Sequence, residues 1–239
     1  MGLTIGVGWL ARDLKEDGGD IAELRKPYDM LNEVLSEAGM APHHEPHDLP
    51  SDEVFEAEMW GYGGLHAIRR LAAYHVCEGR LPPQGSYEDY VSDPVIERLD
   101  QEHLRSLDRR NGGLLKRWMS ARRSIPKFQH LLLHSDCEGF YLPYDFQHVV
   151  FDNAQPQRDG IGGMIGSSPR LLQECIELAA LIELPKDIGV ESEEIWKNAD
   201  NPSAEGRLWQ VYGVEAFGLV RLIRGCELSI KHSAALVFG

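Results

Sequence analysis

The sequence predicts an α/β (mixed α+β) fold, a small mixed sheet covered by several helices, with residues 1–239 forming one domain. Three observations predict it. Short apolar runs rich in β-formers, Thr4–Leu10, Phe140–Leu142 and the closing SAALVF, lie far apart in the chain and belong to no repeat. Between them run longer stretches whose apolar residues recur at helical spacing. Finally, 43% hydrophobic residues, five Trp and eight Tyr provide enough apolar surface for a sizeable core, so the chain as a whole is not disordered.

Thr4–Leu10 alternates loosely and reads as the first strand. Asp20–Ala38 follows with Ile21, Leu24, Tyr28, Leu31, Val34 and Leu35 on one helical face; Asp20 caps its start, Gly39 suits its end, and Pro27 is expected to kink it or to move its true start downstream. Pro42, Pro46 and Pro50 make Met40–Ser51 a loop. Asp52–Trp60 is expected as a short acidic helix, and Leu65–Cys77 and Pro94–Leu107 as helices. Leu114–Arg123 is basic and amphipathic. The run His130–His134 reads as a strand, and His148–Phe151 as the return strand of a hairpin with Phe140–Leu142. Ser167 or Ser168 followed by Pro169 starts a helix, Arg170–Ile182, that stops before Pro185. A short helix is expected around Glu193–Asn198 and a long one at Trp209–Arg224, after which SAALVF returns beside the first strand.

The net charge of −14 argues against nucleic-acid binding, which requires a positive face, and suits a basic protein partner. It is unevenly distributed. Between Arg105 and Lys127 eight basic residues face only Asp108, a local balance of +7 that leaves −21 on the remainder. Such a segment either docks on the chain's own acidic face or holds an anion. No apolar run approaches the roughly 20 residues of a membrane helix, and MGLTIGVGWLARDL lacks the basic start of a signal peptide. Cys77, Cys137, Cys175 and Cys226 are widely spaced with no CxxC pair, the pattern of reduced cytoplasmic thiols.

Three segments could carry chemistry. In His134-Ser135-Asp136-Cys137-Glu138, four side chains able to titrate crowd beside an apolar strand, so His134, Asp136, Cys137 and Glu138 are the catalytic candidates. Neighbours on a strand alternate faces, so Cys137 and His134 make a poor pair, and a turn held by Ser135 and Asp136 is the simpler account. His43-His44-Glu45-Pro46-His47 matches no tetrahedral metal template; it reads as a solvated loop, and no metal site is assigned. Gly160–Arg170 is a glycine-rich stretch entering a capped helix, and Gly166, Ser167, Ser168 and Arg170, with Arg122 and Arg123 from the basic cluster, are candidates for an anion site. It lacks the P-loop lysine and the dinucleotide spacing, and a tight turn plus helix cap is the simpler account of the glycines. No nucleophile elbow, zinc-protease or kinase motif is present, and no cofactor is indicated.

The strings HLLLHSDCEGFYLPYDF, GGMIGSSPRLLQEC and LSIKHSAALVFG resemble segments of an uncharacterised family of bacterial cytoplasmic proteins. The resemblance implies a bacterial, single-domain protein and carries over no reaction or ligand. Two functions remain open. One is a non-catalytic, immunity- or antitoxin-like domain that binds a basic protein. The other is a small-molecule enzyme or ligand-binding protein acting on an anionic substrate, in which the three segments would converge.

Overall fold

The computed structural model describes residues 2–16, 20–86, 90, 92–99, 101, 127–134, 138–152, 154, 158 and 160–239. Among the described residues its centre is a six-stranded mixed sheet in the order β2-β1-β6-β3-β5-β4. These strands are β1 (Thr4–Val7), β2 (Phe55–Glu58), β3 (Gly139–Leu142), β4 (Val150–Phe151), β5 (Met164–Ser167) and β6 (Leu236–Phe238). Only β3 and β5 run parallel; every other neighbouring pair is antiparallel. The chain's two ends meet as expected, with Ile5 opposite Phe238 and Val7 opposite Leu236.

Helices cover both faces, so β3 and β5 are buried throughout. On one face α2 (Ile21–Glu37) packs Leu31, Val34 and Leu35 against Phe140, Leu142, Ile165 and Val237. On the other lie α3 (Gly61–Glu78), α5 (Ser168–Leu181), α6 (Glu193–Asp200) and α8 (Gly213–His232), over Ile5, Val7, Tyr141, Met164 and Leu236. Helix α8 approaches the sheet so closely that a Cβ on Gly225 would come within 2.9 Å of Leu236. Helices α1 (Trp9–Glu16), α4 (Gln129–Leu132) and α7 (Leu208–Val211) are also present among the described residues.

Helix α2 keeps its predicted boundaries. Asp20 accepts from the Ala22 N–H as N-cap, and Pro27 is accommodated inside the helix. Several other expectations are corrected. The first strand stops at Val7 because Gly8 turns at φ +81°, and Trp9 and Leu10 open α1. Asp52–Trp60 is not a helix: one 3-10 turn, Ser51–Glu53, leads into β2, whose period of two places Ala57 inward and Glu56 and Glu58 outward. The run at His130 forms α4 rather than a strand, entered through Phe128 at φ +62°; an apolar run that short fits either state. The strand at Val150 pairs with β5 and not with β3. The last long helix breaks at Tyr212 and then continues to His232. Residues 94–99 are helical, as expected at the start of Pro94–Leu107, whereas Leu114–Arg123 lies outside the described residues.

Candidate functional site

Of the four catalytic candidates, His134 and Glu138 are described; Asp136 and Cys137 lie outside the described residues. His134 is buried between α4 and β3. Its Nε2 donates to the Glu138 carbonyl at 3.1 Å, and its ring stands edge-on to Phe238 with centroids 4.4 Å apart. The Tyr141 hydroxyl lies 2.9 Å from His134 Nδ1 and donates to the His130 carbonyl at 2.6 Å. The Glu138 side chain accepts from the Gly160 N–H at 3.2 Å. In this geometry His134 ties the end of α4 to the start of β3, with both ring nitrogens engaged.

The glycine-rich segment lies beside it, since the parallel pairing of β3 and β5 sets Tyr141 opposite Gly166 and Leu142 opposite Ser167. The glycine at 166 answers a packing demand, because a Cβ there would stand 2.3 Å from the Tyr141 ring. Ser167 caps α5 by accepting from the Arg170 N–H at 3.4 Å, and its hydroxyl donates to the Tyr144 carbonyl at 2.9 Å. Ser168 donates to the Tyr141 carbonyl at 3.2 Å and meets the Ser229 hydroxyl at 2.8 Å. Arg170 forks onto Asp145, at 2.5 and 2.9 Å. The hydroxyls and the guanidinium proposed to hold an anion are thus engaged within the fold. Arg122 and Arg123 lie outside the described residues.

Two groups beneath this segment are strongly perturbed. Burial drives the His130 imidazole down to about 4, outweighing its hydrogen bond to the Gln147 carbonyl, and its Nδ1 accepts from the Ser167 N–H at 3.1 Å. Burial also raises the Glu174 carboxyl to about 7, although it accepts from the N–H groups of His130 and Leu131.

The His-rich loop is not solvated throughout, which corrects the sequence reading. His43 and Glu45 are buried and joined at 2.6 Å, and Glu45 also accepts from the Ala235 N–H at 2.8 Å as the chain enters β6. His44 and His47 are exposed. An extended segment with one face down accounts for this alternation. Among the described residues no three His, Cys, Asp or Glu side chains are grouped to hold a metal.

A further feature, marked by no sequence motif, lies on the surface. Asp29, Glu33 and Glu37 repeat every four residues along the outer face of α2 and, with Asn32 and Ser36, line a groove. At about 1.5 Å of rise per residue the carboxylates follow one another at about 6 Å along the helix axis, a regular row of negative charge sparser than the phosphates of one DNA strand, which recur about every 3.4 Å along the duplex axis. The i, i+4 spacing is legible in the sequence, but nothing there showed that this face is left uncovered. Arg158 reaches this row from the loop after β4: Nε to Glu33 at 3.2 Å, one terminal nitrogen to Glu37, and the other to the buried Asp152 at 2.6 Å. Among the described residues Asp29 makes no ion pair. A second acidic surface runs from Asp48 through Asp52, Glu53 and Glu56 to Glu58, partly neutralised by Lys15, Lys231 and Arg12.

A family model described as "Putative DNA-mimic protein" matches residues 1–238. No curated protein and no solved structure matches the chain. The family match overturns both functional expectations, because imitation of DNA is neither an immunity or antitoxin role nor small-molecule catalysis. It likewise corrects the partners. Nucleic acid, set aside because of the acidic charge, is what such a protein imitates; a basic protein partner fits, and an anionic small molecule has no support. The chain belongs to the family described as putative DNA-mimic proteins.

Proposed function

We propose that this chain is a protein double of DNA: a folded, acidic surface that occupies the basic DNA-binding face of a protein and excludes DNA from it. The observation that carries the reading is the row Asp29, Glu33 and Glu37, fixed at regular spacing on a helix whose inner face is locked into the core of a chain matched over its length to the family. DNA-binding proteins gain most of their non-specific affinity from Lys and Arg on phosphates, and carboxylates can meet the same cations. A rigid presentation matters because ordering the charges beforehand leaves less entropy to lose on binding. The acidic charge that repels nucleic acid is, in this reading, what recommends the chain to proteins that bind it. We place the protein in the bacterial cytoplasm as a single domain, a reading supported by the buried thiols Cys175 and Cys226.

The test is displacement. A fluorescein-labelled DNA duplex is bound to each of a panel of DNA-binding proteins, and the purified chain is titrated in while anisotropy is followed. The reading predicts that the chain releases DNA from at least one of them without binding the duplex itself. It also predicts that D29N/E33Q/E37Q releases less. Failure to displace DNA from any panel member at low salt, or equal displacement by the neutralised variant, contradicts it.

A further inference from the structure

We infer that Arg158 is a resident cation that a partner's arginine or lysine must displace from α2, so that the chain tempers its own docking surface. This rests on the proposed function. The two halves of the Arg158 contact differ in a way that suits displacement. Asp152 is an anchor: its side chain is 0% exposed, and it accepts from the N–H groups of Ala154 and Arg158 as well as from the guanidinium. Glu33 and Glu37 form an open rim, with side chains 65% and 56% exposed. The guanidinium therefore bridges a buried carboxylate that keeps its backbone donors without it and two exposed ones that water and a competing cation can reach.

The seated guanidinium also shows what the rim accepts: a planar, forked donor meeting two carboxylates one helical turn apart. A partner's arginine would make the same contacts only after Arg158 has left. Removing Arg158 changes the local balance from four carboxylates against one cation to four against none. Exposed carboxylate–guanidinium contacts are each worth up to about fivefold in affinity, so freeing two of them predicts a gain of about 3- to 10-fold.

The experiment titrates a fluorescein-labelled octa-arginine peptide with the full chain at low salt, comparing wild type, R158Q, E33Q/E37Q and E33Q/E37Q/R158Q. The inference predicts that R158Q binds about 3- to 10-fold more tightly and that the gain disappears when Glu33 and Glu37 are neutralised. R158Q leaves Asp152 without its guanidinium, so D152N/R158Q is measured beside it and should show the same gain. R224Q, which removes the same charge from the exposed Arg224 beside Glu227 on α8, should gain little. Affinity unchanged or weakened in both Arg158 variants, or an equal gain in R224Q, overturns the inference while leaving the proposed function standing. Equal binding of the peptide by wild type and E33Q/E37Q would instead remove α2 as the docking face, and with it both readings.

Discussion

Neutralising Glu215 should stabilise the fold at neutral pH and have little effect under acid conditions. Glu215 lies in the first turn of α8 and is 3% exposed. Burial raises its carboxyl from the ordinary 4.5 to about 7, against the opposing pull of its own backbone N–H and of Arg70. Between these two values the folded chain holds a proton that the unfolded chain has released. Stability from this group is therefore complete below pH 4.5 and is lost as pH rises towards 7. Each pH unit across that window is worth about 1.4 kcal/mol, so the ionised carboxylate costs the native state about 3 kcal/mol at pH 8. E215Q keeps the shape and removes the titration. Urea denaturation of wild type and variant at pH 4.5 and pH 8, at unchanged m, should show the variant's relative stability rising by about 3 kcal/mol. Because every other titrating group is common to both proteins, a stability difference that is the same at both pH values refutes the reasoning.

His130 predicts the opposite slope. Burial holds its imidazole near 4, so the unfolded chain takes up the proton first and stability falls as pH drops from about 6.5 to 4; in H130Q this part of the acid sensitivity should vanish from urea midpoints. Asp93→Ala strands the buried Arg70 guanidinium, whose Nε donates to Asp93 at 2.7 Å, and should cost about 3–5 kcal/mol in urea denaturation, whereas Arg70→Met with Asp93→Leu should cost much less. Gly166→Ala drives a methyl into the Tyr141 ring and should cost about 1–3 kcal/mol by thermal unfolding, with equal stability contradicting the packing account.

The elements legible in the sequence were those whose local and tertiary signals agree. Helix α2 carries its own cap, periodic face and terminal glycine, and the Ser167-Ser168-Pro169 start of α5 is equally local. The return of β6 beside β1 was readable because an apolar run at the chain's end suits a sheet interior. Elements that failed depend on contacts distant in sequence. Four acidic residues near β2 disguised a period of two that only pairing with β1 makes visible, and the Leu131–Leu133 run contains nothing that separates helix from strand. The candidate site divides in the same way. The His134–Glu138 and Gly166–Arg170 segments attracted attention because polar residues crowd there, and the structure shows His134, Ser167 and Ser168 bonded into the α4, β3 and β5 junction. The α2 row was hidden for the opposite reason. Carboxylates at i, i+4 are ordinary on any solvated helix, and their meaning comes from the exposed face, the Arg158 clamp and the family match.

The central claim is that a partner receives this chain with the same residues it uses for DNA. The most direct measurement takes one DNA-binding protein that the chain displaces and replaces each of its phosphate-contacting Lys and Arg residues with Ala in turn. Affinity is then measured for both a DNA duplex and this chain. The account predicts that the two sets of losses rise and fall together across the series, with the largest in common. Variants that lose DNA while binding this chain at full strength would contradict it.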